Sequence, residues 1–244
     1  MDAQRPKLNT AVFVILLFFF ILPAFIYYAY ILAEQQRWDD LQLLKTATQP
    51  HRGTPTERDF VLKLLKSGFH PKAIFHDLYI KKKDGTYTQI DLVLATKVGL
   101  IVIEIKDYAG WIYGNGSKKY WTQVLSYGRV KNSFYNPVMQ NEKHIKHLSK
   151  ALPKERVPIF NMIIFYGDSQ FRDISEIPHG VVFVKHYNAL NAVNHIVNYS
   201  TPAKYTDKHE VMRVLSEAVA NGDDMNIVYA HANYVNSIKT NNAA

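Results

Sequence analysis

Hydrophobic and polar positions follow three different periods along this chain. Residues 11–33 (AVFVILLFFFILPAFIYYAYILA) form an apolar run without a charge. At ~1.5 Å per residue it makes a helix of ~35 Å, enough to cross a ~30 Å hydrocarbon core. Tyr27, Tyr28, Tyr30 and Trp38 gather at its C-terminal side, as an interfacial aromatic belt does. Pro23 offers a kink that membrane helices tolerate. The rival is a cleaved signal peptide, whose apolar stretch is shorter, about 7–15 residues, and ends in a small-x-small site. Ile31, two before Ala33, fits cleavage there poorly. The run therefore reads as an uncleaved anchor contacting the lipid bilayer, after a short tail at 1–10.

Residues 34–53 read as a short juxtamembrane helix running into a polar linker with Pro50 and Gly53. The period then becomes helical. Thr54 with Glu57 three residues on matches a capping box, with Pro55 at the first helical position. Phe60, Val61, Leu64 and Leu65 supply the apolar face. Between Ala73 and Lys106 the period is that of strands, three of them antiparallel, with Asp84-Gly85 as a hairpin turn. The stretch DYAGWIYGNGSKKYWTQVL adds glycine-rich turns and two more short strands. Asn136 caps a helix with Pro137 in its first turn, running to about Leu152. VPIFNMIIFYG and GVVFVKH read as buried strands, and helical patterns cover 189–199, 208–220 and 224–238. This order predicts an α/β domain, a mixed sheet flanked by helices, with its core at 54–168 and residues 169–244 completing it.

One hairpin, QIDLVLATKVGLIVIEIKDY, carries charges inside its apolar runs. A turn at 96–99 pairs Ala95 with Leu100, Val93 with Val102, Asp91 with Glu104 and Gln89 with Lys106. Alternation then puts Leu100, Val102, Glu104 and Lys106 on one face with Asp91, opposite Ile101, Ile103 and Ile105. Carboxylates directly opposite each other repel. A divalent cation between them resolves the conflict, since Mg²⁺ is held by one or two carboxylates plus phosphate oxygens. The bland alternative is that Lys106 pairs with either acid, or that the strand ends are exposed to solvent.

Composition changes this picture in two ways. No cysteine is present, which excludes disulfides, thiolate metal sites and cysteine nucleophiles. The net charge is +8, and setting aside Asp2, Arg5 and Lys7 in residues 1–33 leaves +7 on the remainder, which suits an anionic partner such as nucleic acid or acidic lipid. Arg5 and Lys7 precede the apolar run, and Arg37, Lys45 and Arg52 follow it, a thin margin that favours a single-pass protein with a cytoplasmic soluble domain.

The acid pair and its lysine resemble the PD-(D/E)XK nuclease superfamily, whose pattern is an Asp on one strand and Glu-x-Lys on the next. More closely, the chain resembles the nuclease-related domain (NERD) family, through TQID (88–91), GLIVIEIKDYAGWIYG (99–114), YWTQ (120–123) and FYNPVMQNEKHIKHL (134–148). The likeness spans about residues 57–152. Ile90 stands where the superfamily's name places a proline. The resemblance implies a restriction-endonuclease-like fold and a nuclease using Mg²⁺ (or Mn²⁺) on nucleic acid, with DNA the first candidate and DNA versus RNA left open. It implies Asp91, Glu104 and the carbonyl of Ile105 as metal ligands and Lys106 as the group that orients or helps deprotonate water or stabilises the pentacovalent transition state. Glu57 resembles the first-helix acid that touches the metal or its waters, against its capping role. Gln140 resembles a glutamine lining the cleft on the second core helix, against an ordinary exposed position.

Other candidates carry less. The ten histidines show no HExxH spacing, and His144 and His147 read as surface or groove residues. Lys81, Lys82 and Lys83 sit at a hairpin tip, either reaching phosphates or simply solvated. GNG at 114–116 lacks the strand–helix context of a nucleotide-binding loop. Two rivals to a nuclease stand: a catalytically silent module that binds DNA or another anionic partner at the membrane, and a tethered interaction scaffold.

Overall fold

The computed structural model describes residues 10–152 and 156–241. These fall into two compact units, with the division between Leu43 and Leu44. The first is helical: α1 (Thr10–Leu16), a π-helical turn (Leu17–Ile21) and α2 (Leu22–Lys45). Pro23 accounts for the π turn, because it has no N–H to offer the Phe19 carbonyl and its ring crowds that carbonyl. The run Thr10–Lys45 is 36 residues long, with a window of mean hydropathy 2.6 and none of that window buried. It is long and apolar enough to cross a membrane. The expected juxtamembrane helix is the uninterrupted continuation of this rod, not a separate element.

The second unit begins with buried residues where a solvated linker was expected: Leu44, Thr48 and Arg52. Helix α3 (Pro55–Lys66) follows, capped by Thr54, whose Oγ1 accepts the Glu57 N–H. Strands β1 (Ile74–Lys81), β2 (Tyr87–Thr96) and β3 (Gly99–Asp107), in that order, form the antiparallel half of a five-stranded sheet. Strands β7 (Ile159–Tyr166) and β9 (Val181–Lys185) add parallel to β3. Gly99 permits that junction: its φ is +138°, and a Cβ there would meet the Pro158 carbonyl oxygen at 2.2 Å.

Inserted between β3 and β7 are β4 (Gly110–Asn115), β5 (Tyr120–Leu125), β6 (Val130–Tyr135) and α4 (Pro137–Ala151). With β8 (Ser169–Ser175) the first three make a second mixed sheet, ordered β6-β5-β4-β8. Two sheets therefore stand where one was expected. Strands β6 and β8 are exposed along much of their length, so they lack the apolar alternation that marks a strand in sequence. Helices α5 (His186–Tyr199), α6 (Lys208–Ala220) and α7 (Met225–Asn241) complete the unit.

Packing places α4 and α6 on one face of the first sheet. Leu148 of α4 and Val211 and Leu215 of α6 share a core cluster with Val93, Leu100 and Val102. Each such fully buried aliphatic side chain contributes about 1.5–3 kcal/mol. The second sheet seals against β7 and β9 through Ile112, Trp121, Phe165 and Phe183. Asn141 fixes α4 to the sheet, its amide donating to the carbonyl of Val102 at 2.9 Å and to Asn161 Oδ1 at 2.9 Å.

Candidate functional site

The site grows out of β3. Leu100 and Val102 anchor its α4 side in the core, and Glu104 and Lys106 continue the same alternation one and two pleats further. Glu104 is 1% exposed. Its Oε1 lies 2.6 Å from Lys106 Nζ, which in turn donates to Gln140 Oε1 at 3.0 Å. Helix α4 thus brings Gln140 to the lysine.

The hairpin register holds as read from its turn, through Ala95↔Leu100 and Val93↔Val102, but the ladder closes at Leu92↔Ile103. The pairs Asp91–Glu104 and Gln89–Lys106 are not ladder pairs. At the next position the side chain replaces the strand: Asp91 Oδ2 accepts the Ile105 N–H at 2.8 Å. The cause is a kink shared with β1. His76↔Leu92 and Leu78↔Ile90 flank Asp77, which faces Asp91 across the register but adopts φ +57°. Asp tolerates that left-handed conformation better than most residues. The kink turns its carboxylate away from Asp91 towards Arg52 (3.3 Å) and the Gln89 amide (2.9 Å). Alternation reverses there. Phe75 and Leu78, three apart, both join the α4-side core, as do Ile90 and Val93. In a strand the N–H and C=O of one residue point to the same side. The Ile105 carbonyl therefore also faces the gap that β2 leaves.

Electrostatics separate the two acids. Burial, then the Glu104 carboxylate and Glu57, hold Asp91 well above the usual carboxylate range. Burial acts on Glu104 in the same direction, but Lys106 and His144 outweigh it and hold Glu104 below that range. Lys106 is pushed up: burial alone lowers it, and the Glu104 and Asp91 carboxylates reverse the sign. One acid tends towards a proton and the other towards a charge.

Of the two places the sequence left open for His144, surface or groove, the structure rules out the surface. The residue is 8% exposed, with Nε2 3.3 Å from Glu104 Oε2 and Nδ1 3.0 Å from Thr88 Oγ1. The contact with Glu104 is within ion-pair reach but outside hydrogen-bond geometry, which leaves that buried oxygen without a donor. A signal was available: His144 is four residues after Gln140 and so on the same helical face. Its acid partner lies 40 positions away, where no local spacing points.

Glu57 unites both expected roles only in part. Thr54 Oγ1 donates to its Oε1 at 2.8 Å, and its Oε2 lies 3.2 Å from His76 Nε2, with Thr48 Oγ1 2.7 Å from the far ring nitrogen. Gly53, at φ +60°, lets the loop close over this pair, since a Cβ would fall 2.4 Å from both Glu57 Oε2 and His76 Nε2. Among the described residues no hydrogen bond joins Glu57 to Asp91, Glu104 or Lys106. It acts on Asp91 through its charge.

The oxygens of Asp91, Glu104 and Ile105 are hard donors of the kind that suits Mg²⁺, and the undonated Glu104 Oε2 is an available ligand atom. Among the described residues no three His, Asp or Glu side chains converge to hold a metal. An ion here would thus complete its shell with the backbone carbonyl, water or phosphate, as Mg²⁺ commonly does. The donor set fits such an ion.

An uncharacterized protein of Bacillus anthracis is 28% identical over 188 residues, covering 72% of this chain and 81% of that protein. No solved structure matches at a significant level. The family model for the nuclease-related domain, NERD, matches residues 52–166, a span that holds Glu57, Asp91, Glu104, Lys106, Gln140 and His144. Residues 52–166 are thus similar to the nuclease-related domain family.

Proposed function

We propose that the protein is a membrane-anchored, metal-dependent nuclease that hydrolyses phosphodiester bonds of nucleic acid, DNA in the first instance. The observation carrying this reading is the chain of contacts from Glu104 to Lys106 to Gln140, set beside an Asp91 held on the Ile105 amide. Asp91, Glu104 and the Ile105 carbonyl would hold Mg²⁺ or Mn²⁺. Bound there, the ion lowers the pKa of water and offsets charge on the phosphoryl oxygens.

The protein's own groups do the rest. Lys106 stays protonated between two carboxylates, so it supplies a fixed positive charge where the phosphoryl group gains negative charge. Gln140 holds the ammonium in line, limiting its rotamers. His144 and Thr88 brace the buried Glu104 from behind. Asp91, drawn towards a proton, is the member of the pair whose charge most needs a cation to offset it. The run Thr10–Lys45 anchors the enzyme to the bilayer, with its catalytic unit in the cytoplasm.

The test uses the full chain in lipid discs, labelled DNA and RNA, and Mg²⁺ or Mn²⁺. Lys106→Met and Glu104→Gln should each lose about two to three orders of magnitude in cleavage rate, as the loss of one transition-state charge partner does. Cleavage at the wild-type rate in both variants overturns the reading. Binding without any cleavage by the wild type would leave a silent nucleic-acid module in its place.

A further inference from the structure

The outer face of the second sheet carries chemistry that the cleft does not use. Ile112, Trp121 and Phe134 point inward to the aromatic core. Alternation then sends Trp111, Tyr113, Tyr120 and Tyr135 outward. Tyr113 is 36% exposed and Tyr120 41%. Tyr120 and Tyr135 face each other in the ladder and meet edge to face, with ring centroids 6.1 Å apart.

Cations stand beside these rings. Lys119 Nζ lies 5.2 Å from the Tyr120 centroid, Lys143 Nζ 4.7 Å from Tyr135, and the Arg172 guanidinium 4.9 Å from Trp111. From Gly110 to Asn136 the chain carries Lys118, Lys119, Arg129 and Lys131 and no Asp or Glu. Asp173, across from Tyr113 on β8, puts a carboxylate at the edge away from β6.

The hairpin tip between β5 and β6 adds a third observation. Ser126 and Tyr127 both have positive φ, 51° and 55°, and Tyr127 is 96% exposed. Two successive non-glycine residues in the left-handed region are strained, and strain of this kind concentrates at functional positions. Packing gives no reason for it, since the ring touches almost nothing. Helix α4 connects this face to the cleft: Gln140, Lys143 and His144 fall within about one turn, the first and last on the acid–lysine cluster and Lys143 over Tyr135.

We propose that this face is a track for single-stranded nucleic acid. Bases stack on Tyr113, Tyr120, Tyr135 and Tyr127, and Lys119, Lys131 and Lys143 take the phosphates. The cations alone would serve a duplex equally well. The rings decide between the two, because flat aromatic surfaces reach base faces only where the bases are unstacked. The destination of the strand, the Asp91–Glu104–Lys106 cleft, rests on the nuclease reading; the binding itself does not.

The test is fluorescence anisotropy with the full chain in lipid discs, in EDTA so that cleavage plays no part. The probes are an oligothymidylate of about 16 nucleotides and a duplex of the same length. The wild type should bind the single strand more tightly than the duplex. Tyr120→Ala and Tyr127→Ala should each weaken single-strand binding about tenfold, with Tyr120→Phe close to wild type and the salt slope unchanged. Lys131→Ala should instead lower that slope by roughly 0.7. Tyr127 has no packing to lose, so its variant keeps the test sound if Tyr120→Ala folds poorly. Equal affinity for strand and duplex, or tyrosine variants that bind like wild type, overturns the track while leaving the nuclease reading intact. Cleavage at the wild-type rate in both Lys106→Met and Glu104→Gln sinks the nuclease reading and leaves the track standing.

Discussion

Asp91 shows at the scale of one residue how the site trades stability for chemistry. Its carboxylate is drawn towards a proton by burial and by its two acidic neighbours, while one oxygen serves as the acceptor for Ile105 N–H. Asn keeps that acceptor and removes only the charge. The unfolded side chain ionises near pH ~3.9, and the folded one does so at higher pH. Between those points the native state binds more protons than the unfolded state, so the stability contributed by the neutral form is lost as pH rises through the window. In metal-free buffer at about pH 7, Asp91→Asn should therefore melt higher than the wild type, and the gap should close as pH falls below ~3.9. Calorimetry across that pH range checks this, and a variant less stable than wild type at neutral pH contradicts the assigned repulsion. Strand alternation alone predicts a common face for Glu104, Lys106 and Asp91, because parity in a strand needs only a turn to set it. It could not reveal Asp77, whose positive φ reverses that parity, nor the braces Thr88 and His144, which are remote in sequence and meet only in three dimensions.

Among the elements, α4 has the largest part in the site, and its N-cap decides where its side chains land. Asn136 is fully buried, and its Oδ1 accepts the Val138 N–H at 2.9 Å. Its amide donates to the carbonyls of Gly116 (2.9 Å) and Lys118 (2.8 Å), tying the helix start to the β4–β5 turn. Asn136→Ala loses the cap and leaves buried carbonyls undonated, at a combined cost of about 2–4 kcal/mol. Denaturant melts should show that loss. Cleavage should fall further than the unfolded fraction explains, because Gln140 sits one turn from the cap. This cap, the Thr54 cap and the Lys208–Ala220 helix were legible in the sequence, since caps and amphipathic periods are local signals. Strands β6 and β8 were not. VKNSFY and SQFRDIS are held by ladder hydrogen bonds at a solvent-exposed surface, so neither carries the apolar run from which a strand is read, and the second sheet stayed hidden with them.

For the molecule as a whole, the long apolar helix and the basic globular unit make separate claims on the membrane. Residues 44–244 carry +9, enough to draw the globular unit to an anionic surface by charge alone, an attraction that salt weakens within a Debye length of about 10 Å. The apolar run, if it enters the bilayer, is a different kind of attachment. Nothing in its most hydrophobic window is buried in protein, and residues such as Phe18, Phe19, Phe20 and Phe25 present open apolar surface along it. Burying one such side chain in hydrocarbon is worth about 1.5–3 kcal/mol, far beyond what added salt can reverse when summed over the run. Membranes from cells expressing the full chain should therefore keep the protein through high-salt and alkaline washes and release it only to detergent. Mass spectrometry of the extracted chain separates an anchor from a leader. An intact N-terminus supports the span, whereas a product shortened past residue 33 and found in the soluble fraction would make the run a cleaved signal. Release by salt alone would mean that charge, not the apolar helix, holds the protein to the bilayer.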